Sequence, residues 1–187
     1  MKKIVCLIYI CLLPVFLVAQ EDETFNWSSP LLNKKAPVLK FGEWITEIPV
    51  TTNKFIVLDF WATFCGPCVK FTPKMNEFSK KFKKDAVFIA VATQTVEQVK
   101  EGIEDIKKAK KQSNEKFVPI EFYQSTDPDY ELFNAFLLEG IPSVIIIDPK
   151  GIVRWQGNPH GESGIADEKT ALTEDKIRGI IEKYKMK

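Results

Sequence analysis

The chain has 187 residues, 45% of them apolar, with 26 basic residues, 25 acidic residues and one histidine, giving a formal net charge of +1. That length fits one domain with a buried core once a leading segment is discounted. The balanced charge gives no support to nucleic acid or an anionic membrane as partner, and four cysteines do not make a framework of structural disulfides.

Residues 1–19 have the order of a secretory signal peptide: Lys2 and Lys3, the apolar run Ile4 to Val18, then Ala19 before Gln20. The run is short of the ~20 residues a spanning helix needs, and Pro14 interrupts it. Cleavage would remove Cys6 and Cys11, leaving Cys65 and Cys68, and without Lys2 and Lys3 the basic residues would number one fewer than the acidic. An uncleaved N-terminal anchor is the alternative; neither Cys6 nor Cys11 follows the small residues that lipoprotein processing prefers. Residues 20–35 are polar and contain Pro30, which predicts a linker or loosely held arm ahead of a domain over 36–187. Ala36 through Ile45 is expected to form a leading strand or hairpin, and Asn53 a turn.

Phe55 to Phe60 is apolar on both pleat faces except at Asp59, the pattern of a central parallel strand. After Trp61-Ala62-Thr63-Phe64 comes Cys65-Gly66-Pro67-Cys68, and from Cys68 the apolar residues Phe71, Met75, Phe78 and Phe82 recur at helical spacing. Pro67 suits a first helical turn, where its missing N–H costs nothing. Both cysteines therefore sit at a helix N-terminus, where unpaired N–H groups and the helix dipole favour an anion. A thiol there ionises more readily, its pKa falling from about 8.5 to roughly 3.5–7.5. Cys65, at the turn and facing solvent, is the expected nucleophile, and Cys68, inside the first turn, the resolving thiol. A zinc knuckle needs four ligands, and the chain offers only His160 and no second Cys-x-x-Cys. Asp59 is a lone carboxylate whose pKa burial should raise.

Pro73 should kink the helix, which runs to about Lys84, and Lys80, Lys81, Lys83 and Lys84 form a solvated end. Ala86 to Ala92 is a second buried strand. Thr95 to Gln98 fits a capping box for a helix with Val96, Val99, Ile103 and Ile106 on one face, weakened slightly by Gly102 and ending in Lys107, Lys108, Lys110 and Lys111. A loop follows to Lys116, then a strand over Phe117 to Tyr123, and Asp127-Pro128 capping a helix with Leu132, Phe133 and Phe136. Val144 to Ile147 and Ile152 to Trp155 form a hairpin around Asp148-Pro149-Lys150-Gly151. A Gly-rich loop from Asn158 to Asp167 holds His160 as a surface residue, and Thr173 caps a last helix with Ile177, Ile180, Ile181 and Tyr184 inward, Leu172 stapling Ile177. The order predicts a three-layer α/β/α sandwich with a mixed sheet.

Trp61-Ala62-Thr63-Phe64-Cys65-Gly66-Pro67-Cys68 resembles the active-site segment of the thioredoxin superfamily, and the chain from about Ala36 onward is most similar to the exported TlpA/ResA-like thiol-disulfide oxidoreductases. The resemblance implies several things about this chain. Asp59, six residues before Cys65, matches a buried acid that takes the proton from Cys68. Ile141-Pro142 matches a cis-proline facing the cysteines, with the Ile141 backbone pairing an extended substrate segment. Trp61, Gly66, Pro67, Ile141 and Pro142 are the expected substrate-binding residues, Trp61 also supporting the active-site loop beside Phe64. The long stretch before Pro142 is similar to the inserted strand–helix region of the exported branch. Some relatives carry Glu three residues past the second cysteine; here it is Phe71, which removes that acid.

The function expected is therefore periplasmic reduction of protein disulfides through Cys65 and Cys68, without a cofactor. The partners are disulfide- or thiol-bearing proteins, apocytochrome c in cytochrome c maturation among them, and a membrane thiol donor; a monomer is the expected state. A thiol oxidase or isomerase, a non-catalytic binding module, and a copper-delivering protein using Cys65, Cys68 and His160 remain the alternatives. A peroxiredoxin motif is missing, since Thr63 lies two, not three, residues before Cys65.

Overall fold

The computed structural model describes residues 30–161 and 170–186; the expected signal, Cys6, Cys11, residues 20–29 of the arm and residues 162–169 lie outside the described residues. The elements are β1 (Phe55–Trp61), α1 (Gly66–Phe82), β2 (Ala86–Ala92), α2 (Val96–Gln112), β3 (Tyr123–Thr126), α3 (Glu131–Ala135), β4 (Ser143–Ile147), β5 (Val153–Gly157) and α4 (Glu174–Tyr184). Their order is the one the sequence predicts. In the sheet the strands lie β3-β2-β1-β4-β5. The first three are mutually parallel, and β4 and β5 add an antiparallel side.

The unbroken apolar run of β1 is explained by burial on both faces. Phe55 and Val57 pack with Met75, Phe78 and Phe82 of α1 and with Ile177 and Ile181 of α4. Leu58 and Phe60 point the other way, into a cluster with Leu132 and Phe136 and with Leu31, Leu39 and Phe41 from the N-terminal segment. These are the three layers. Helix starts follow the expected caps: Thr95 and Gln98 form a complete capping box, and the Thr173 hydroxyl accepts the Lys176 N–H. α1 continues through Pro73 as one element.

Three local expectations are corrected. Residues 30–35 are no loose arm, because the Asn33 N–H donates to Val153 O at 2.8 Å and Leu31 joins the core. Residues 36–45 form neither strand nor hairpin. They make an extended strap from the Lys35–Ile152 bridge beside β5 to the Trp44–Ser125 bridge at β3, crossing one whole face. Gly42 is needed in that strap, since a Cβ there would lie 2.7 Å from Thr126 O. The strand expected over Phe117 to Tyr123 begins only at Tyr123. Pro119 has no N–H for a ladder, and the segment hangs instead on α1, whose buried Asn76 donates to Pro119 O at 2.9 Å and accepts from the Glu121 N–H at 3.0 Å. Asp127 does serve α3: its carboxylate accepts the Leu132 and Phe133 N–H groups, although Tyr130 occupies the cap position.

Candidate active site

At the C-terminal end of β1 the chain turns through Ala62–Phe64, and Cys65 caps α1 in an extended conformation. Pro67 stands in the first turn, as its chemistry demands. Cys65 and Cys68 are joined by a disulfide, and the Cys65 Sγ accepts the Cys68 N–H at 3.2 Å. The sulfur thus occupies the place an N-cap oxygen usually takes.

Cys65 was expected to face solvent. Instead both half-cystines are only 6% exposed, packed with Trp61, Ala62, Ala90, Ala92 and Val99. Exposed surface at the site belongs to their neighbours Gly66, Pro67 and Phe64, the last 73% exposed. Trp61, expected among the substrate contacts, is 5% exposed and lies beneath the disulfide as support.

Asp59 is 9% exposed, paired in register between Ala90 and Val144. Strand alternation puts it on the same face as Val57 and Trp61, under α1. Among the described residues no hydrogen bond or ion pair to its carboxylate is found, and burial pushes its pKa from 3.8 up to about 7. A carboxyl poised near neutrality can both accept and return a proton.

The Ile141–Pro142 peptide is cis. Half-buried Ile141 packs against the cluster containing Trp61, Cys65 and Cys68, so residues far apart in sequence meet at one place. Leu138, Gly140, Pro142 and Gly157 border a cavity of about 340 Å³ beside it.

Several neighbours were not legible beforehand. Gln94 Oε1 accepts the Thr63 N–H at 2.7 Å, tying the turn to the loop after β2. Gly102 abuts the same threonine: a Cβ would lie 2.1 Å from Thr63 Oγ1 and 2.5 Å from its Cβ. A glycine on the apolar face between Val99 and Ile103 was the available signal of close approach. A cavity of about 350 Å³ opens next to this contact, lined by Trp61, Val69, Ile103, Ile106 and Phe117 among others. His160 is not a free surface residue. Its Nε2 lies 3.1 Å from Pro67 O and its ring 4.9 Å from that of Phe71, an approach no sequence spacing announces. Among the described residues no three Cys, His, Asp or Glu side chains are grouped to hold a metal.

A thioredoxin-like family model matches residues 53–153. Thioredoxin-1 of Schizosaccharomyces pombe is 40% identical over 50 residues, 27% of this chain and 48% of that protein. The thiol-disulfide oxidoreductase ResA of Bacillus subtilis is 27% identical over 107 residues, 57% of this chain and 54% of ResA. The chain spans about half the length of the curated relatives it matches. Among solved structures, the thioredoxin domain of a thiol-disulfide oxidoreductase from Bacteroides vulgatus superposes with a TM-score of 0.55 at 21% identity, covering 83% of this chain and 98% of that one. StoA from Bacillus subtilis gives 0.54 at 19%, over 78% and 97%.

Proposed function

The chain belongs to the thioredoxin-like family, and we propose that it is an exported thiol-disulfide oxidoreductase that reduces protein disulfides through Cys65 and Cys68. The observation that carries this is the Cys65–Cys68 disulfide at the N-terminus of α1, with a main-chain N–H on the Cys65 sulfur. Such a donor and the helix dipole stabilise a thiolate at Cys65.

In the reduced protein the Cys65 thiolate attacks one sulfur of a substrate disulfide. A mixed disulfide forms and the first substrate thiolate leaves. Cys68 then passes its proton to the Asp59 carboxylate and attacks the Cys65 Sγ, releasing the second substrate thiolate. The substrate gains two electrons and takes up two protons; the enzyme ends in the oxidised form described above. Phe64, Gly66 and Pro67 offer the contact surface, and the Ile141 backbone beside Pro142 pairs an extended substrate segment. A membrane thiol donor restores the dithiol.

The resemblance of Cys65-Gly66-Pro67-Cys68 to reducing members of the superfamily favours the reducing direction, with an expected potential of about −270 mV rather than about −120 mV. Lys2, Lys3, the apolar run and Ala19 support export, with a mature chain from near Gln20 whose folded domain takes in residues 30–35 as well as the stretch from Ala36 onward. Among the described residues no helix is long and apolar enough to cross a membrane. An exported reductant of this kind serves haem-site cysteines in cytochrome c maturation or wrongly bridged proteins, and acts as a monomer.

Dithiothreitol-driven insulin reduction tests the activity. Cys68→Ser is expected to trap substrates as mixed disulfides on Cys65, and Cys65→Ser to trap almost none. Equal trapping would sink the role assignment, and an inert wild-type disulfide would sink the enzyme itself.

A further inference from the structure

We propose that His160 is a positioning residue for the Cys65 sulfur, acting through a hydrogen-bond chain that crosses a single peptide group. The proposal rests on the thiol–disulfide chemistry above and adds a residue to it. A carbonyl oxygen only accepts, so the 3.1 Å contact between His160 Nε2 and Pro67 O makes the ring the donor, with its proton on Nε2. That carbonyl and the Cys68 N–H are the two ends of the Pro67–Cys68 peptide unit. The Cys68 N–H in turn donates to Cys65 Sγ at 3.2 Å. The three groups therefore stand in series: imidazole N–H, peptide, sulfur.

The peptide is a resonance-coupled dipole, so a donor at its oxygen draws charge there and makes its N–H a better donor. The beneficiary is whichever form of Cys65 accepts most strongly, which is the thiolate. His160 acts without touching the sulfur. The His160 ring reaches the Phe71 ring on the first turns of α1 from the loop after β5, with centroids 4.9 Å apart.

The ring is held for this task. Its edge meets Phe71 at an interplanar angle of 68°. The His160 main-chain N–H donates to Asn158 Oδ1 at 2.9 Å, the Gly161 N–H returns to Asn158 O, and the Leu172 N–H fastens Pro159 O ahead of α4. Gly161, at φ +101°, permits that turn. Among the described residues no ion pair joins His160 to a carboxylate. On α1 the charges flanking Phe71 are the exposed Lys70 and Lys74, and the ionisable residue of β1 is Asp59.

His160→Phe keeps an aromatic ring for Phe71 and removes the donor, and His160→Gln restores an N–H. Thiolate absorbance of the reduced protein across pH, and the rate of Cys65 attack on a small aromatic disulfide, are measured for both. His160→Phe is expected to lower the thiolate fraction and the attack rate near neutral pH by about two- to fivefold, with His160→Gln recovering most of the loss. Wild-type titration and rate in a folded His160→Phe would overturn the proposal, as would equal losses in the two variants.

The wild type supplies a test that needs no variant, because it has a single histidine. Its ring nitrogen resonances should show the Nε2–H form in oxidised and reduced protein, with that proton's shift moving as Cys65 ionises. An Nδ1–H form, or a shift indifferent to Cys65, would overturn the relay. If the disulfide opens and insulin is reduced normally while these tests fail, only the relay is wrong; if the disulfide resists dithiothreitol, the thiol–disulfide chemistry falls with it.

Discussion

Two buried aspartates, one in the central strand and one in the turn after β4, have opposite surroundings. Asp148, in the turn between β4 and β5, has a side chain 1% exposed, yet every direction is answered. Its Oδ1 accepts the Lys150 and Ile152 N–H groups at 2.9 and 3.0 Å, and its Oδ2 accepts Arg154 Nε at 2.8 Å. Arg154 lies 3.8 Å over the Tyr184 ring. Asp59, in the middle of β1, has apolar neighbours and among the described residues no partner. Two residues on, Trp61 Nε1 is likewise buried without a hydrogen bond among the described residues. A carboxylate whose acceptors are all filled fixes a turn; one kept apolar and unpaired stores a proton-transfer capability at a cost in stability. The disulfide sits beside the second kind.

The contrast can be broken most severely at the satisfied aspartate. Asp148→Ala leaves Arg154 and two N–H groups without their acceptor, and is expected to lower stability by about 3–5 kcal/mol. Urea denaturation reads the loss, while Cys65 reactivity of the folded fraction should match wild type; a small loss would mean that Asp148 is no anchor.

At Asp59 the sign reverses. The Asp59 carboxyl holds its proton in the folded chain up to about pH 7, against 3.8 as its ordinary value. Between those values the folded state carries the extra proton, so stability falls as pH rises and stays low above the window. Asp59→Asn removes that fall, which amounts to at most about 4 kcal/mol, and the two forms should converge in stability below about pH 4. The same variant is expected to slow the resolving attack of Cys68 by about 10²-fold, read by stopped-flow oxidation of the reduced protein by a model disulfide. Parallel stability curves with unchanged kinetics would make Asp59 a structural residue like Asp148.

A smaller effect sharpens how α2 braces the site. Alanine at residue 102 should favour α2 by up to about 1 kcal/mol on propensity alone. Because its Cβ would collide with Thr63, Gly102→Ala is expected to destabilise by about 1–3 kcal/mol instead and to loosen the Thr63–Gln94 bond. A net gain in melting temperature would show that α2 does not press on the turn. The smallest change is at a cap remote from both aspartates: Thr173→Ala should cost about 1 kcal/mol with thiol chemistry untouched.

Much of the fold was legible because it is written in short-range pattern. Apolar runs doubly buried gave β1 and β2, 3.6-residue periodicity gave α1, α2 and α4, and Thr95 and Thr173 announced their helices. The Cys-Gly-Pro-Cys turn declared its own chemistry. The segment Phe117 to Ile120 failed because its apolar character suits a strand and a cavity wall equally, and only the side chain of Asn76, from another helix, decides between them.

The sequence by itself determined the order of elements, the helix-capping position of Cys65 and the isolation of Asp59, since each follows from residues within a few positions of one another. Tertiary structure alone decided that a strap covers one whole face, that Cys65 is enclosed, that Gly102 meets Thr63 and that His160 reaches the Pro67 carbonyl. These are contacts between segments tens of residues apart, set by how packed layers bring chain termini and loops together. No periodicity in either partner encodes such a meeting, because each residue is locally compatible with many others.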